Sequence, residues 1–389
     1  MSTRDQFMPL DFQDHLRQFC FDTTVLVALL QTRYLQPRYR IPKYGNLHTL
    51  AWAYAENSWS QKHFVDMLQP SVFFNNSNTP QTPVEQQLAV TLYRLGHYGN
   101  AASLRIIAQT AGVAEGSVPL FTERCFTAIE SLQEFFVRKL TREEKEVEKC
   151  WINEQLGFRG TWREGWVMYD GTIVPLFRKP GLNGDAYFTR KSNYGLNLQI
   201  GNVPSTLRIV DYVHGLTGSA HDANAFQYTA ASVHADWFFE GEEFTWGDSA
   251  YGVTPRMISV HKKPASQIYE NSKFDTALSR LWVESEHCLG SLKGRFQCLK
   301  GLCVGIDSKE QHYQATRWMT VPVILHNMIL DVEGVTFLLN HLEEAAEGDT
   351  HIGDDGGDHA GGDDEEAGEP KRRILVAELM AYREACGQN

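Results

Sequence analysis

The 389-residue sequence contains no run of 18 apolar residues, so no membrane-spanning helix is expected. Its opening stretch, Met1-Ser-Thr-Arg-Asp-Gln-Phe7, lacks the apolar segment of a secretory leader, and secretion is not expected. None of the seven cysteines (Cys20, Cys125, Cys150, Cys288, Cys298, Cys303 and Cys386) forms a Cys-x-x-Cys pair. An odd and scattered set points to free thiols in a reducing compartment and away from a zinc ribbon. There is no phosphate-binding Gly-x-x-x-x-Gly-Lys loop and no Gly-x-Ser-x-Gly elbow, so an NTPase or a serine hydrolase has no motif behind it.

Positive charge is also scarce. Lys and Arg number 36 against 48 Asp and Glu, for a net charge of −12 and a pI of about 5.6. Taken as an average, that argues against a nucleic-acid partner. The average misleads, because 12 of the acids and no Lys or Arg fall in residues 343–369, and the remaining 36 acids balance the 36 bases. What is present in quantity is apolar material: a 42% hydrophobic fraction with 12% aromatics is enough for a large core. The length suggests two domains plus tails.

The pattern along the chain divides it into five parts. Residues 1–75 read as a helical N-terminal segment, with amphipathic stretches at Asp11–Phe19 and Thr23–Tyr34. An Asn-, Ser- and Pro-rich linker over Gln69–Pro83 leads to a helical domain at 82–150. There Thr82, Pro83 and Glu85 offer a capping box for a helix from Val84 to Leu95. A second helix begins near Ser103, Gly112-Val113 make a tight turn, and a third helix starts after Glu115. An alanine on the second helix, the turn glycine and the spaced valines Val113 and Val118 give the spacing of a helix-turn-helix, for which an ordinary helical hairpin is the plain alternative. Arg105 and Arg124 are the only bases close by, and Pro119 fits only in a first helical turn. Residues 131–160 read as a charged helix with a solvated face.

From Gly165 the pattern changes to short apolar strands: 165–170, 194–201, 207–214 and 244–248, followed by helices at 273–295 and 311–346. An antiparallel start grading into α/β is expected over 160–342. Residues 343–370 are too polar to bury a core and read as a disordered linker, and 371–389 as an amphipathic C-terminal helix able to dock back.

Four acids stand at transitions in this pattern. Asp170 ends the first apolar strand and precedes Gly171-Thr172. Asp222 lies in the small-residue loop Gly218-Ser-Ala-His-Asp-Ala-Asn-Ala-Phe226. Asp248 follows the fourth strand, and Glu286 lies on a helix. A carboxylate at a strand's C-terminal end projects into the crevice where ligands bind. Carboxylates gathered together repel one another unless a cation intervenes, and hard oxygen ligands favour Mg²⁺ or Mn²⁺. Each acid alone is more simply a turn or cap residue. A haloacid-dehalogenase-like phosphatase would need an acid where Met168 stands, and an aspartic protease uses Asp-Thr-Gly order. Arg190 and Lys191 follow Asp170, and Lys293 and Arg295 follow Glu286. Lys293 is seven residues from Glu286 and so shares its helix face; a surface salt bridge is the plain reading of that pair.

Five blocks occur in one order: Tyr169-Asp-Gly-Thr172; Tyr187-Phe-x-Arg-Lys-Ser-x-Tyr-x-Leu-Asn-x-Gln199; Gly218-Ser-Ala-His-Asp-Ala223; Gly247-Asp-Ser-Ala-Tyr251; and Ser285-Glu-His-Cys-Leu-Gly-Ser-Leu-Lys-Gly-Arg-Phe-Gln-Cys-Leu299. In these blocks the chain resembles the PIF/Harbinger transposase-derived nucleases, a DDE-type family. The resemblance covers about 160–330, and the 82–130 segment is similar to the helix-turn-helix that precedes the nuclease in many relatives. It implies an α/β fold with a ribonuclease H-like core and mixed sheet, behind an all-helical region. It implies a nuclease or transposase-like enzyme that uses two divalent ions, Mg²⁺ or Mn²⁺, to cleave or transfer DNA phosphodiester bonds. Asp170, Asp248 and Glu286 are then the catalytic set. Asp170, Asp222, Asp248 and Glu286 are the metal set, with Asp222 either a further ligand or an orienter, and Glu284 the neighbour that Glu286 is preferred to. Arg190, Lys191, Lys293 and Arg295 would hold DNA phosphate. The resemblance also implies a separate Myb-like DNA-binding partner and a nuclear location, or import through that partner; a homo-oligomer is compatible. A domesticated, non-cleaving DNA-binding or chromatin adaptor is the alternative, and a metal phosphatase for small phosphates is a weaker one.

Overall fold

The computed structural model describes residues 81–220, 222–334 and 364–387. The amphipathic stretches expected before residue 80, and the acidic stretch as far as 363, lie outside the described residues.

The N-terminal helices are α1 (Val84–Leu95), α2 (Leu104–Ala111), α3 (Ser117–Glu130), α4 (Gln133–Phe136) and α5 (Arg142–Leu156). A five-stranded sheet follows: β1 (Gly165–Pro175), β2 (Gly195–Asn202), β3 (Ile209–Thr217), β4 (Phe244–Gly247) and β5 (Met257–Ser259), in the spatial order β3-β2-β1-β4-β5. β1, β2 and β3 pair antiparallel, whereas β4 runs parallel to β1, and β5 parallel to β4. Three short helices, α6 (Asp222–Phe226), α7 (Ala230–Val233) and α8 (Ala235–Phe238), lie between β3 and β4, and the long helices α9 (Tyr269–Arg295), α10 (Lys309–Glu333) and α11 (Asp364–Ala385) complete the described chain. This is the mixed-sheet α/β, ribonuclease H-like core that the resemblance implies.

β1 is longer than its sequence suggests. The apolar run stops at Asp170, yet Thr172-Ile173-Val174 continue the strand, because β2 pairs with β1 as far as Pro175. β4 leaves earlier: its last partner on β1 is Met168, opposite Trp246. Asp170 is therefore mid-strand on one side and beyond the end of the neighbour on the other. β2 differs from its pattern too. Gly-Leu-Asn-Leu-Gln-Ile-Gly-Asn alternates apolar and polar, which predicts one wet face, but all eight positions are buried. Leu196, Leu198 and Ile200 pack with α9 and α10 on one side, and Asn197 and Gln199 are enclosed on the other.

Val113, Val118 and the turn glycine form the expected helix-turn-helix shape. Gly112 is left-handed at φ +66° and the Val113 amide donates to the Ala108 carbonyl at 3.0 Å. Val90, Ile107, Ala108, Ala111, Val118 and Phe121 fill the angle between helices. Pro119 falls in the first turn of α3. The hairpin packs against the sheet side of the molecule. Leu88, Leu95, Phe126 and Ile129 belong to the same core as β2, α9 and α10. Arg317 of α10, 5% exposed, donates to both oxygens of Glu130 and also pairs with Glu123 on α3. The expected capping box at Thr82 is absent, because extended Pro83 takes the cap position and has no hydroxyl to offer. The capping box occurs instead at Thr141 and Glu144, opening α5.

Two further expectations give way. The charged segment after residue 131 is solvated on one side only, at residues such as Glu143, Glu146 and Glu154. On α5, Lys145, Glu148 and Lys149 are buried, and Glu243 at the start of β4 accepts from Lys145 at 2.7 Å and from Lys149 at 2.9 Å. Burial is tolerated because opposite charges are matched within the network. The C-terminal helix starts at Asp364, not at 371. α11 does dock: Leu375, Val376 and Leu379 join Trp162, Trp246, Phe274 and Leu278, and the Trp162 indole donates to the Leu375 carbonyl at 2.8 Å.

Candidate active site

Four acids lie around the strand that changes partners, and three of them act electrostatically on Asp170. Pairing assigns their faces. Residues opposite each other in an antiparallel ladder point the same way, and alternate residues point oppositely. Ser285 of α9 donates to the buried Asn202 side chain at 2.8 Å, and Lys293 of α9 donates to the Thr172 hydroxyl at 2.5 Å. Asn202 pairs with Met168, so Met168, Asp170 and Thr172 share the α9 face. Gly171, paired with Gln199, faces the other way.

On that other face sits Asp222, the first residue of α6. A Cβ built on Gly171 would lie 2.3 Å from Asp222 Oδ1, so the glycine of Asp-Gly-Thr is required by this close approach. The Asn197 amide donates to the same Asp222 oxygen at 3.1 Å. Gln199 lies beside it and donates to the Tyr251 hydroxyl. Asp222 is thus held by buried amide chemistry rather than left in a loose turn.

Asp248 follows the last residue of β4 and accepts from the Ala250 amide at 2.9 Å, while Asp170 accepts from the Gly171 amide at 2.7 Å. Burial raises the Asp170 carboxyl to about 8, and the charges of Asp248, Asp222 and Glu286 push in the same direction. Burial likewise raises Asp248 to about 6; Asp222 adds to the rise, and Lys262 and Arg190 oppose it. The four acids therefore share one electrostatic site. Glu286 faces it from α9. Glu284 does not: it pairs with His287 at 3.3 Å and adds to the rise of Glu148, which burial takes to about 7.

The basic residues divide. Arg190 and Lys191 are exposed on the β1–β2 connection, and Arg190 bears on Asp248. Lys293 is tied to β1 through Thr172 and the Ile173 carbonyl. Arg295, half-buried, acts on the buried His326 of α10. Sequence reasoning misses Asn197, Gln199, Tyr251 and Lys262. The polar alternation of β2 was the available signal for the first two. A groove of about 450 Å³ beside β3, lined by residues such as Arg138, Lys139, Tyr212 and Trp237, includes none of the four acids.

The donor chemistry fits a hard divalent cation. The set is all oxygen, half-buried at Asp170, Asp222 and Asp248 and exposed at Glu286, and carries mutual repulsion that a cation would relieve. Among the described residues, no three Asp, Glu, His or Cys groups already converge closely enough to hold one ion. The fit therefore rests on the donors and their shared charge.

Residues 169–327 match the family model described as DDE superfamily endonuclease. The matched span contains all four acids and all the phosphate-binding candidates. This similarity points to a transposase-like nuclease domain of a kind that acts on DNA with divalent metal. No curated protein and no solved structure matches the chain.

Proposed function

We propose that this protein is a divalent-metal-dependent DNA endonuclease or transposase-like enzyme of the PIF/Harbinger type. The observation that carries the reading is the upward push on Asp170 from burial together with Asp248, Asp222 and Glu286. Crowded negative charge of this kind is relieved either by a proton or, in its place, by a metal cation.

In this reading Asp170, Asp248 and Glu286 hold Mg²⁺ or Mn²⁺. Two such ions would activate water or a 3′-hydroxyl and stabilise the leaving oxygen. Asp222, fixed by Asn197, orients the far side of β1 and adds negative charge. Arg190 and Lys191 hold phosphate without reading sequence. Lys293 keeps α9, and so Glu286, against β1.

Base reading falls to a separate Myb-like partner. Support comes from α3, which exposes Pro119, Leu120, Glu123 and Thr127, offers only half-exposed Arg124 as a base, and gives Glu123 and Glu130 to Arg317. A helix with that surface is a poor match to phosphate or base edges. The protein acts in the nucleus, or reaches it through that partner.

The test is nicking of supercoiled plasmid by the purified full chain in Mg²⁺, beside Asp170→Ala. Metal-dependent nicking that the variant lacks supports the reading. Absence of nicking, or equal nicking by the variant, overturns it.

A further inference from the structure

The connection between β1 and β2 carries an aromatic residue in an unusual place. Phe188 and Tyr194 pair across a small hairpin. The Thr189 amide donates to the Asn193 carbonyl at 2.8 Å, and the Ser192 amide to the Thr189 carbonyl at 3.1 Å. Ser192 takes the left-handed turn position at φ +58°. The base of the hairpin is clamped. The Gly218 amide donates to Gly195 at 2.9 Å and the Ser219 amide to Ala186 at 3.2 Å. A Cβ on Gly218 would lie 2.5 Å from the Thr189 methyl and 2.8 Å from the Tyr187 carbonyl. The hairpin is therefore a fixed part of the rim, built on the loop that leads into Asp222.

Its burial is inverted. Phe188 is 48% exposed while its neighbour Thr189 is 3% exposed. The hairpin's geometry turns the phenyl ring outward and the hydroxyl inward. Beyond Phe188 come exposed Arg190 and Lys191, and Arg190 bears electrostatically on Asp248. Behind Phe188 stands Tyr194, with ring centroids 5.5 Å apart in an edge-to-face arrangement, and the Lys179 ammonium lies 5.7 Å from the Tyr194 ring. Two residues before Lys179, Phe177 is 57% exposed with the Arg178 guanidinium 5.6 Å from its ring. Arg178 and Lys179 are paired with Asp307 and Asp185, so the exposed Arg190 and Lys191 are the cations that border these aromatic faces on the side of the carboxylates and give the strip its chemical preference. Cations take phosphate, and an exposed ring takes the face of a base. In an intact duplex those faces are already covered by neighbouring bases. A ring can offer stacking only to a base that has left the stack.

We propose that the Phe188 hairpin is a stacking wedge beside the carboxylates, and that the preferred DNA substrate has an unpaired base next to the phosphate held there. This rests on the reading of the site as a DNA nuclease, and it names the substrate form that the site favours: frayed, bulged or single-stranded DNA at the cleaved step. Phe188 is a substrate-binding residue in this arrangement, with Tyr194 supporting its ring.

The experiment uses the full-length protein with Ca²⁺ in place of Mg²⁺, so that binding is read without cleavage. Two fluorescent oligonucleotide duplexes are compared, one perfect and one with a single bulged 2-aminopurine. The wild type should bind the bulged duplex on the order of tenfold more tightly, as expected for one base–aromatic stack, and should change the 2-aminopurine emission. Phe188→Ala should lose that preference and the emission change, and Phe188→Trp should restore both. Equal affinity of the wild type for the two duplexes overturns the wedge, and so does a preference that survives Phe188→Ala. Either result leaves plasmid nicking in Mg²⁺ to stand or fall separately, so failure of the wedge is distinguishable from failure of the nuclease reading. A melting temperature for Phe188→Ala within about 2 °C of the wild type, as expected for an exposed ring, assigns its effect to DNA contact; a collapsed fold moves the decision to Phe188→Trp, whose failure to keep the preference overturns the proposal.

Discussion

Lys293 donates from Nζ to the Thr172 hydroxyl at 2.5 Å and to the Ile173 carbonyl at 2.9 Å, linking the last turns of α9 to the middle of β1. Glu286 stands seven residues earlier on the same helix face, and Asp170 two residues before Thr172 on the same strand face. The lysine that the sequence offers as a phosphate ligand is thus also the tie that sets Glu286 against Asp170. Hydrogen bonds from a charged donor contribute roughly 1.5–3 kcal/mol when well shielded. With Lys293 half-exposed, about 1–2 kcal/mol is the expected loss in Lys293→Met. Chemical denaturation should show that loss, and plasmid nicking should fall by more than about tenfold. Unchanged stability with weakened DNA binding would instead make Lys293 purely a phosphate contact.

The pH dependence of the metal-free protein follows from Asp170. In the folded chain this carboxyl keeps its proton up to about 8. In the unfolded chain it releases the proton near about 4. Between those values the folded state binds more protons, so stability falls as pH rises. Denaturant midpoints measured with a chelator from pH 4 to pH 8 should decline, by an amount on the order of a few kcal/mol in stability. Asp170→Asn should flatten the curve, and added Mg²⁺ should raise the high-pH end. A curve unaffected by the substitution would contradict the assigned environment of Asp170.

Glu284 and Glu286 lie on one helix but serve different neighbours. Glu286→Gln should reduce metal-dependent nicking by a factor on the order of a hundred or more, as expected for loss of a charge from the metal-holding set. Glu284→Gln should retain most of the nicking, because its side chain faces His287 and Glu148. The reverse pattern would move the catalytic assignment by two residues.

The docking of α11 predicts a stability effect far from the acids. Leu375 is fully buried against the cluster that holds Trp162 and Trp246. Leu375→Ala should cost about 2–5 kcal/mol, from lost transfer energy and the cavity left behind. Denaturation of the full-length variant measures this directly. A cost near zero would show that α11 packs loosely.

The antiparallel start of the sheet and its passage into α/β are legible in the sequence, because short apolar runs end at turn residues, and two of those runs end at Asp170 and Asp248. The second environment around Asp222 is not. Asn197 and Gln199 look like the wet half of an alternating strand, and only tertiary packing tells a buried polar face from an exposed one. The extension of β1 past Asp170 is hidden for a similar reason. A strand's length depends on its partners, and here one partner stops while the other continues. β5 has three residues, too few to carry a period-2 pattern. Lys145 and Lys149 mislead in the opposite direction, because charge in a helix reads as solvated until Glu243 is seen beneath it.

Lys371-Arg372-Arg373 is the one basic triplet near the C-terminus, and α11 decides what can be done with it. Lys371 donates to the Glu242 and Pro255 carbonyls, and Arg372, 8% exposed, donates to the Ser259 carbonyl. A transport receptor that reads an extended basic peptide would have to unwind the helix and pull two of the three side chains from their partners. This triplet is thus closed to that reading while the protein is folded. The nuclear action proposed above would therefore need a signal from another stretch of the chain or from a companion protein that carries its own.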